Sequence, residues 1–153
     1  MSIFNKKPHK KEFTIIVGCG RLGANIANNL SEEGKDVVII DNNSDSFRKL
    51  SPSFGGMELK GDATEMFVLN EADIRNATSV IAVTNHDNTN IMVAQIAKEM
   101  FHIDNVIARL YDPDRECVYR DFGINTICPV VLSTGKVNSM LNDGNEKQEG
   151  IGC

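Results

Sequence analysis

The stretch FTIIVGCGRLGANIANNL limits the possible folds of this chain more than any other, because an apolar run gives way to an amphipathic one around Gly18, Gly20 and Gly23. A G-x-G-x-x-G string alone is weak, since glycines also serve ordinary turns. Set between a predicted strand and a predicted helix, it specifies a phosphate-binding turn. Gly18 makes the tight turn, Gly20 lets the backbone approach a pyrophosphate, and Gly23 permits close packing of helix on strand. The N–H groups that open the helix at Arg21 and Leu22 then face an anion, and Cys19 lies within the same turn. A cation at Arg21 opposes the helix dipole by a few tenths to about 1 kcal/mol unless an anion is present. Arg21 is therefore expected either to touch ligand phosphate or to swing out into water.

The turn's second requirement is an acid about 20 residues on, at the end of the next strand. VVIIDNN supplies Asp41, followed by Asn42. A 2′-phosphate about 4 Å from Asp41 would be repelled by up to roughly 4 kcal/mol per unit charge at an effective dielectric of 20. A free ribose hydroxyl would instead gain about 1.5–3 kcal/mol. The expected ligand is NAD(H) or ATP/ADP, not NADP. A competing role for Asp41 is to cap the helix near NSDSF, where Ser44 and Asp45 offer the same service.

Six short runs recur, FTIIVG, DVVIID, GMELKG, SVIAVT, NVIARL and INTICP, each too short for a helix and apolar enough for a strand buried on both faces. Helical spacing fills the intervals, as in Leu22, Ile26 and Leu30, and in Val93, Ile96, Ala97 and Met100. Asp112 with Pro113 reads as a helix start, Gly34 and Gly123 as helix ends, and Asp62 or Thr64 as a cap. Alternation of this kind predicts an α/β, doubly wound parallel sheet of six strands in the order 3-2-1-4-5-6, with the ligand crevice at the carboxyl ends of strands one and four.

On that crevice edge, GDAT places Asp62, Ala63 and Thr64 at the far wall near a base, with capping as the alternative for Asp62 and Thr64. AVTNHDNTN places Thr84 and Asn85 across the topological switch, toward ribose or phosphate, while Asp87 or Asn88 caps the next helix. Arg109 ends the fifth strand on the same edge, where it could reach phosphate, a neighbouring subunit or a rim carboxylate. Beyond Pro129, VVLSTGKVNSML sets Val130, Thr134, Val137 and Leu141 in one stripe of a helix with no strand to follow, so it needs a partner or packs on its own sheet. The domain is expected over 13–141, with a disordered basic tail at 1–12 and a disordered tail at 142–153.

The formal charge of −5 opposes binding to nucleic acid, which needs a surplus of Lys and Arg on one face. The basic N-terminus has no apolar segment after it, so neither a secretion signal nor a membrane span is expected. Cys19, Cys117, Cys128 and Cys153 form no C-x-x-C pair and should stay reduced, and with His9, His86 and His102 scattered no metal site is expected.

Taken in order, IIVGCGRLG, IIDNN, GDAT, VIAVTNHDNTN and VIARLYDP resemble the nucleotide-binding N-terminal domain of TrkA/KtrA-type potassium-uptake regulators, the TrkA-N or RCK family, from about Phe13 to about Leu141. That resemblance implies a Rossmann-like, non-enzymatic regulatory subunit in the cytoplasm that binds NAD(H) or ATP/ADP. It also implies a homodimer formed partly through a crossover helix, possibly a higher ring, held at the membrane by an integral-membrane potassium transporter subunit. By analogy Gly18, Gly20, Arg21, Gly23, Asp41, Asp62, Thr84 and Arg109 line the nucleotide site, and the segment after Pro129 is the crossover helix. Many relatives carry a second C-terminal lobe. Some ATP-binding relatives place an acid where this sequence has Val130, so no divalent ion is expected there. The alternative, a small NAD-dependent oxidoreductase, lacks a placed acid or base: Tyr111 and Tyr119 have no Lys four residues on, and His86 and His102 have no recognisable partner.

Overall fold

The computed structural model describes residues 10–143. Its strands are β1 (Phe13–Val17), β2 (Asp36–Asp41), β3 (Met57–Lys60), β4 (Ser79–Ala82), β5 (Asn105–Arg109) and β6 (Asn125–Ile127). All pairings are parallel and the order is β3-β2-β1-β4-β5-β6, as expected. The order in which strands are added to the sheet reverses between β1 and β4, and this opens a crevice at their carboxyl ends.

Helix α1 (Arg21–Glu32) covers one face of the sheet, and α2 (Met66–Glu71), α3 (Asp87–Gln95) and α4 (Glu116–Asp121) cover the other. Alternate strand residues divide between the two layers: Ile16, Ile39 and Ile81 pack toward α1, while Ile15, Ile40, Val80 and Val106 pack toward α2–α4. That division makes the central strands apolar throughout, because neither face meets water. The face of α1 pressed hardest on the sheet is Gly23, Ala24 and Ala27, with Leu22, Ile26 and Leu30 flanking it half-buried. Small residues let the helix axis approach the strands closely. Gly34 and Gly123 follow α1 and α4 with φ of 74° and 72°, the left-handed conformation that glycine adopts at no steric cost.

Several expectations are corrected. β3 is largely exposed, and β6 only partly covered, because each is an edge strand. The β2–β3 connection is a 3-10 helix (Ser44–Lys49) followed by a loop, too short to cover β3. Its cap is Asn43, which accepts the Asp45 N–H at 3.0 Å, in place of Asp41, Ser44 or Asp45. Glu65, not Asp62 or Thr64, occupies the N-cap of α2, and His86 that of α3, with Asp87 as its first helical residue. α3 runs on into a π-helical turn (Ile96–Met100), which exposes Met100.

Helix α5 (Pro129–Asn142) contains no buried residue. Besides the predicted Val130, Val137 and Leu141, it exposes Val131, Leu132 and Met140, so its apolar surface is broader than one stripe and does not pack on its own sheet. The tails expected at 1–12 and 142–153 lie mostly outside the described residues. Within them, Lys11 pairs with Asp36 at 2.8 Å and Glu12 with Lys35 at 3.2 Å.

Candidate functional site

The glycine turn has the geometry its spacing implies. Gly18 has φ of 103°, and a Cβ there would meet the backbone of Val83 and Thr84 at about 3.0 Å, so only glycine lets β1 exit beside β4. A Cβ on Gly23 would overlap the Gly18 carbonyl oxygen, which fixes how tightly α1 folds back under the turn. Gly20 is different. It is the N-cap of α1 and has nothing within 4 Å of where a Cβ would stand, so its open side is the crevice. No side chain caps α1 and no acid stands in its first turn, leaving its leading N–H groups for an external acceptor. Arg21 is exposed beside them and pairs with no carboxylate among the described residues.

Across the turn, Asp41 ends β2 with both carboxylate oxygens engaged by backbone. One accepts the Cys19 N–H at 2.8 Å and the other the Asn43 N–H at 2.8 Å. Each oxygen retains acceptor capacity, so the carboxylate can still take sugar hydroxyls. Beyond β3, Asp62 Oδ1 accepts the Thr64 hydroxyl at 2.7 Å and its N–H at 2.9 Å. Those two bonds hold the Asp62 carboxyl below its ordinary pKa, the hydroxyl contributing most. Asp62 therefore stays ionised on the rim, and Ala63 is buried behind it.

At the β4–β5 side, Arg109 Nη2 donates to the Thr84 carbonyl at 2.9 Å and to Asn85 Oδ1 at 3.1 Å. Its guanidinium lies 5.2 Å from the Tyr111 ring centroid, a cation–π distance. Its Nε is buried with no partner, and no carboxylate pairs with it among the described residues, so the rim salt bridge is not formed. Asp87, half-buried in the first turn of α3, accepts the N–H groups of Tyr111 at 2.9 Å and Asp112 at 3.2 Å. Asn88 accepts from Arg115 at 3.1 Å. Both bind the loop after β5 and do not cap their own helix.

These groups converge on one cavity of about 750 Å³. Gly18, Gly20, Arg21 and Leu22 line it from the turn, Asp41 and Asn42 from β2, Asp62, Ala63 and Thr64 from β3, and Thr84, Asn85 and Arg109 from β4 and β5. Two predicted residues do not line it. Cys19 is fully buried in the α1 layer, its thiol 3.4 Å from the Ser46 carbonyl oxygen, and Gly23 lies beneath the turn. Burial, with Asp41 nearby, pushes the Cys19 thiol up to about 11, so it is protonated at neutral pH.

The cavity adds residues that sequence reasoning missed: Asn43, Ser46 and Lys49 along the 3-10 helix, and His86 with Thr89 at the start of α3. Ser46 and Lys49, like His86 and Thr89, stand three apart just past a strand's carboxyl end. That is the spacing that puts two side chains on one face of a helical turn. Among the described residues no group of three metal-ligating side chains occurs, and no helix is long and apolar enough to cross a membrane.

Comparison with known proteins agrees with this fold. The family model described as the TrkA-N domain matches residues 14–129. The chain is 44% identical over 116 residues to the Trk system potassium uptake protein TrkA of Streptomyces coelicolor, covering 76% of this chain and 52% of that protein. It is thus similar to about half the length of that curated relative. Among solved structures, GsuK bound to ADP superposes with a TM-score of 0.74 at 22% identity, covering 89% of this chain and 35% of the other. The GsuK channel bound to NAD gives 0.64 at 20% identity, covering 80% and 22%. At those identities the superpositions establish the shared fold. With the six-stranded order, the glycine turn and the matched span on one chain, this protein belongs to the TrkA-N domain family.

Proposed function

We propose that this chain is the nucleotide-sensing domain of a regulatory subunit that gates a Trk-type potassium transporter from its cytoplasmic side, and that its ligand is NAD(H) or ATP/ADP. One observation carries the reading. The uncapped N-terminus of α1 and the Asp41 carboxylate face the same cavity, an arrangement that takes a phosphate at one end and a sugar at the other. Arg21 and Arg109, both without carboxylate partners among the described residues, add positive charge where an anion would lie. The names of the relatives, potassium uptake proteins and a channel with ADP or NAD bound, point the same way.

The cavity is furnished for holding a ligand, and the reading is of a sensor and not a catalyst. A sensor does work on its partner only through the difference in ligand affinity between two arrangements of the assembly. The exposed apolar helix α5 supplies the self-association such an assembly needs, as a homodimer or a ring. The test is calorimetric titration of the purified chain with NAD+, NADH, ADP and ATP, alongside mass spectrometry of any small molecule released on denaturation. Micromolar binding of at least one is expected; failure of all four at millimolar concentration overturns the reading.

A further inference from the structure

Asn90 is a completely buried polar side chain in a helix whose other buried residues are apolar or small, and all of its hydrogen-bonding capacity is used. Its Oδ1 accepts the Thr84 N–H at 2.9 Å and the Thr84 hydroxyl at 2.7 Å. Its Nδ2 donates to the Thr84 carbonyl at 3.0 Å and to the Arg109 carbonyl at 3.0 Å. Those partners lie just past the end of the β4–β5 ladder, which last pairs at Ala82 and Ala108, although Arg109 still pairs with Ile127 of β6. Beyond that point no ladder bond holds the two chain ends together, and the Asn90 amide takes its place. The Arg109 guanidinium donates to the same Thr84 carbonyl, so the one side chain fixes both ends of the Arg109–Thr84 contact. One helical turn earlier Asp87 secures Tyr111 and Asp112, two and three residues beyond Arg109.

We propose that Asn90, which does not line the cavity, is the positioning residue of the nucleotide site: it holds the β4–β5 rim so that Arg109 is presented at a fixed place to the ligand's phosphates. The inference rests on the nucleotide reading above. Without Asn90 the Thr84 N–H loses its acceptor and the Arg109 carbonyl loses the amide donor, the rim parts, and Arg109 loses its anchor while the β2–β3 side, with Asp41 and Asp62, keeps its own bonds. The deficit therefore scales with ligand charge and not with contact to the nucleoside.

The experiment is a ladder of adenosine, AMP, ADP and ATP titrated calorimetrically into the full chain, as wild type, Asn90→Leu, Arg109→Gln and the double variant. In the wild type affinity rises along the ladder. Asn90→Leu is expected to lose about tenfold or more on ADP and ATP with adenosine unchanged, and the double variant to bind no more weakly than Arg109→Gln alone. Equal losses on adenosine and ADP, no loss on either, or losses that multiply in the double variant would each overturn the proposal. Should Asn90→Leu not fold, Asn90→Asp keeps the shape and the acceptor but loses both donors, and is read on the same ladder. Failure of both to fold makes Asn90 a purely structural residue, which also overturns it. A wild type that binds nothing on the ladder overturns this proposal, and only one that also binds neither NAD+ nor NADH marks the failure of the nucleotide reading.

Discussion

The Asp41 carboxylate accepts the backbone N–H of Cys19 at 2.8 Å, tying the end of the second strand to the middle of the glycine turn. The acid that would grip a sugar thus also fixes the loop that would cradle a phosphate, and the two halves of the site are one mechanical unit.

Asp41→Asn keeps the size of the side chain and one carbonyl oxygen, but turns an amide toward the N–H of Cys19 or Asn43, donor against donor. Loss of a charged hydrogen bond of about 1.5–3 kcal/mol predicts roughly 10- to 150-fold weaker nucleotide binding. Calorimetry checks it, and unchanged affinity would remove Asp41 from the site.

Gly20→Ala and Gly23→Ala should separate ligand binding from stability. The first places a methyl in the open crevice, so binding falls while the melting temperature stays within a degree or two. The second forces a methyl against the Gly18 carbonyl, overpacking that costs about 1–3 kcal/mol and, for a chain of this size, about 2–4 °C per kcal/mol. Paired thermal melts and titrations decide it; equal melting temperatures for the two variants would contradict the packing role of Gly23.

Burial pushes Cys19 from an ordinary 9.0 to about 11, and burial, with Asp87 and Asp112 adding to it, pushes Tyr119 from 10.0 to about 12. Both groups keep their protons in the folded chain at a pH where the unfolded chain has lost them. Their stabilising contribution is therefore complete below about pH 9 and declines as pH rises through 9 to 11 for Cys19 and 10 to 12 for Tyr119. Denaturant midpoints measured from pH 8 upward should fall, and the fall should be shallower in Cys19→Ala and in Tyr119→Phe. In native protein at pH 8 a thiol reagent should label exposed Cys117 well before buried Cys19 and Cys128.

Val137→Asp and Leu141→Asp alter α5 side chains that are 53% and 74% exposed, so neither should shift the melting temperature of the monomer appreciably. If α5 pairs with a second copy, each buries a charge in that contact, and self-association should weaken by at least about tenfold in sedimentation experiments. A monomeric wild type would refute pairing through α5.

Much of the fold was legible because its signals are local. β-branched runs such as VVII and SVIAV have one good use between helices, and Gly34 and Gly123 stop helices by their backbone freedom. The crevice was legible for a related reason: topology puts every strand's carboxyl end on one edge, so Asp41, Asp62, Thr84 and Arg109 had to gather there. What escaped depends on tertiary neighbours. Cys19 and Arg21 stand two apart in one turn, yet one points into the core and the other into water. The residue joining Thr84 to Arg109 is Asn90, set within NTNIMVA, and nothing local separates it from the helix-opening asparagine Asn88. The stripe Leu22, Ile26 and Leu30 marked the correct side of α1 but not its innermost line, since close approach selects Gly23, Ala24 and Ala27. The edge position of β3 was implicit in the predicted strand order, but its exposure also reflects a 3-10 connector too short to cover it, a length that periodicity does not reveal.

Because every residue from Val130 to Asp143 is exposed, neither apolar layer of the sheet loses anything if α5 changes its angle at Pro129. The core thus leaves the direction of this rod undetermined, and the energy of each orientation is set by whatever surface covers it.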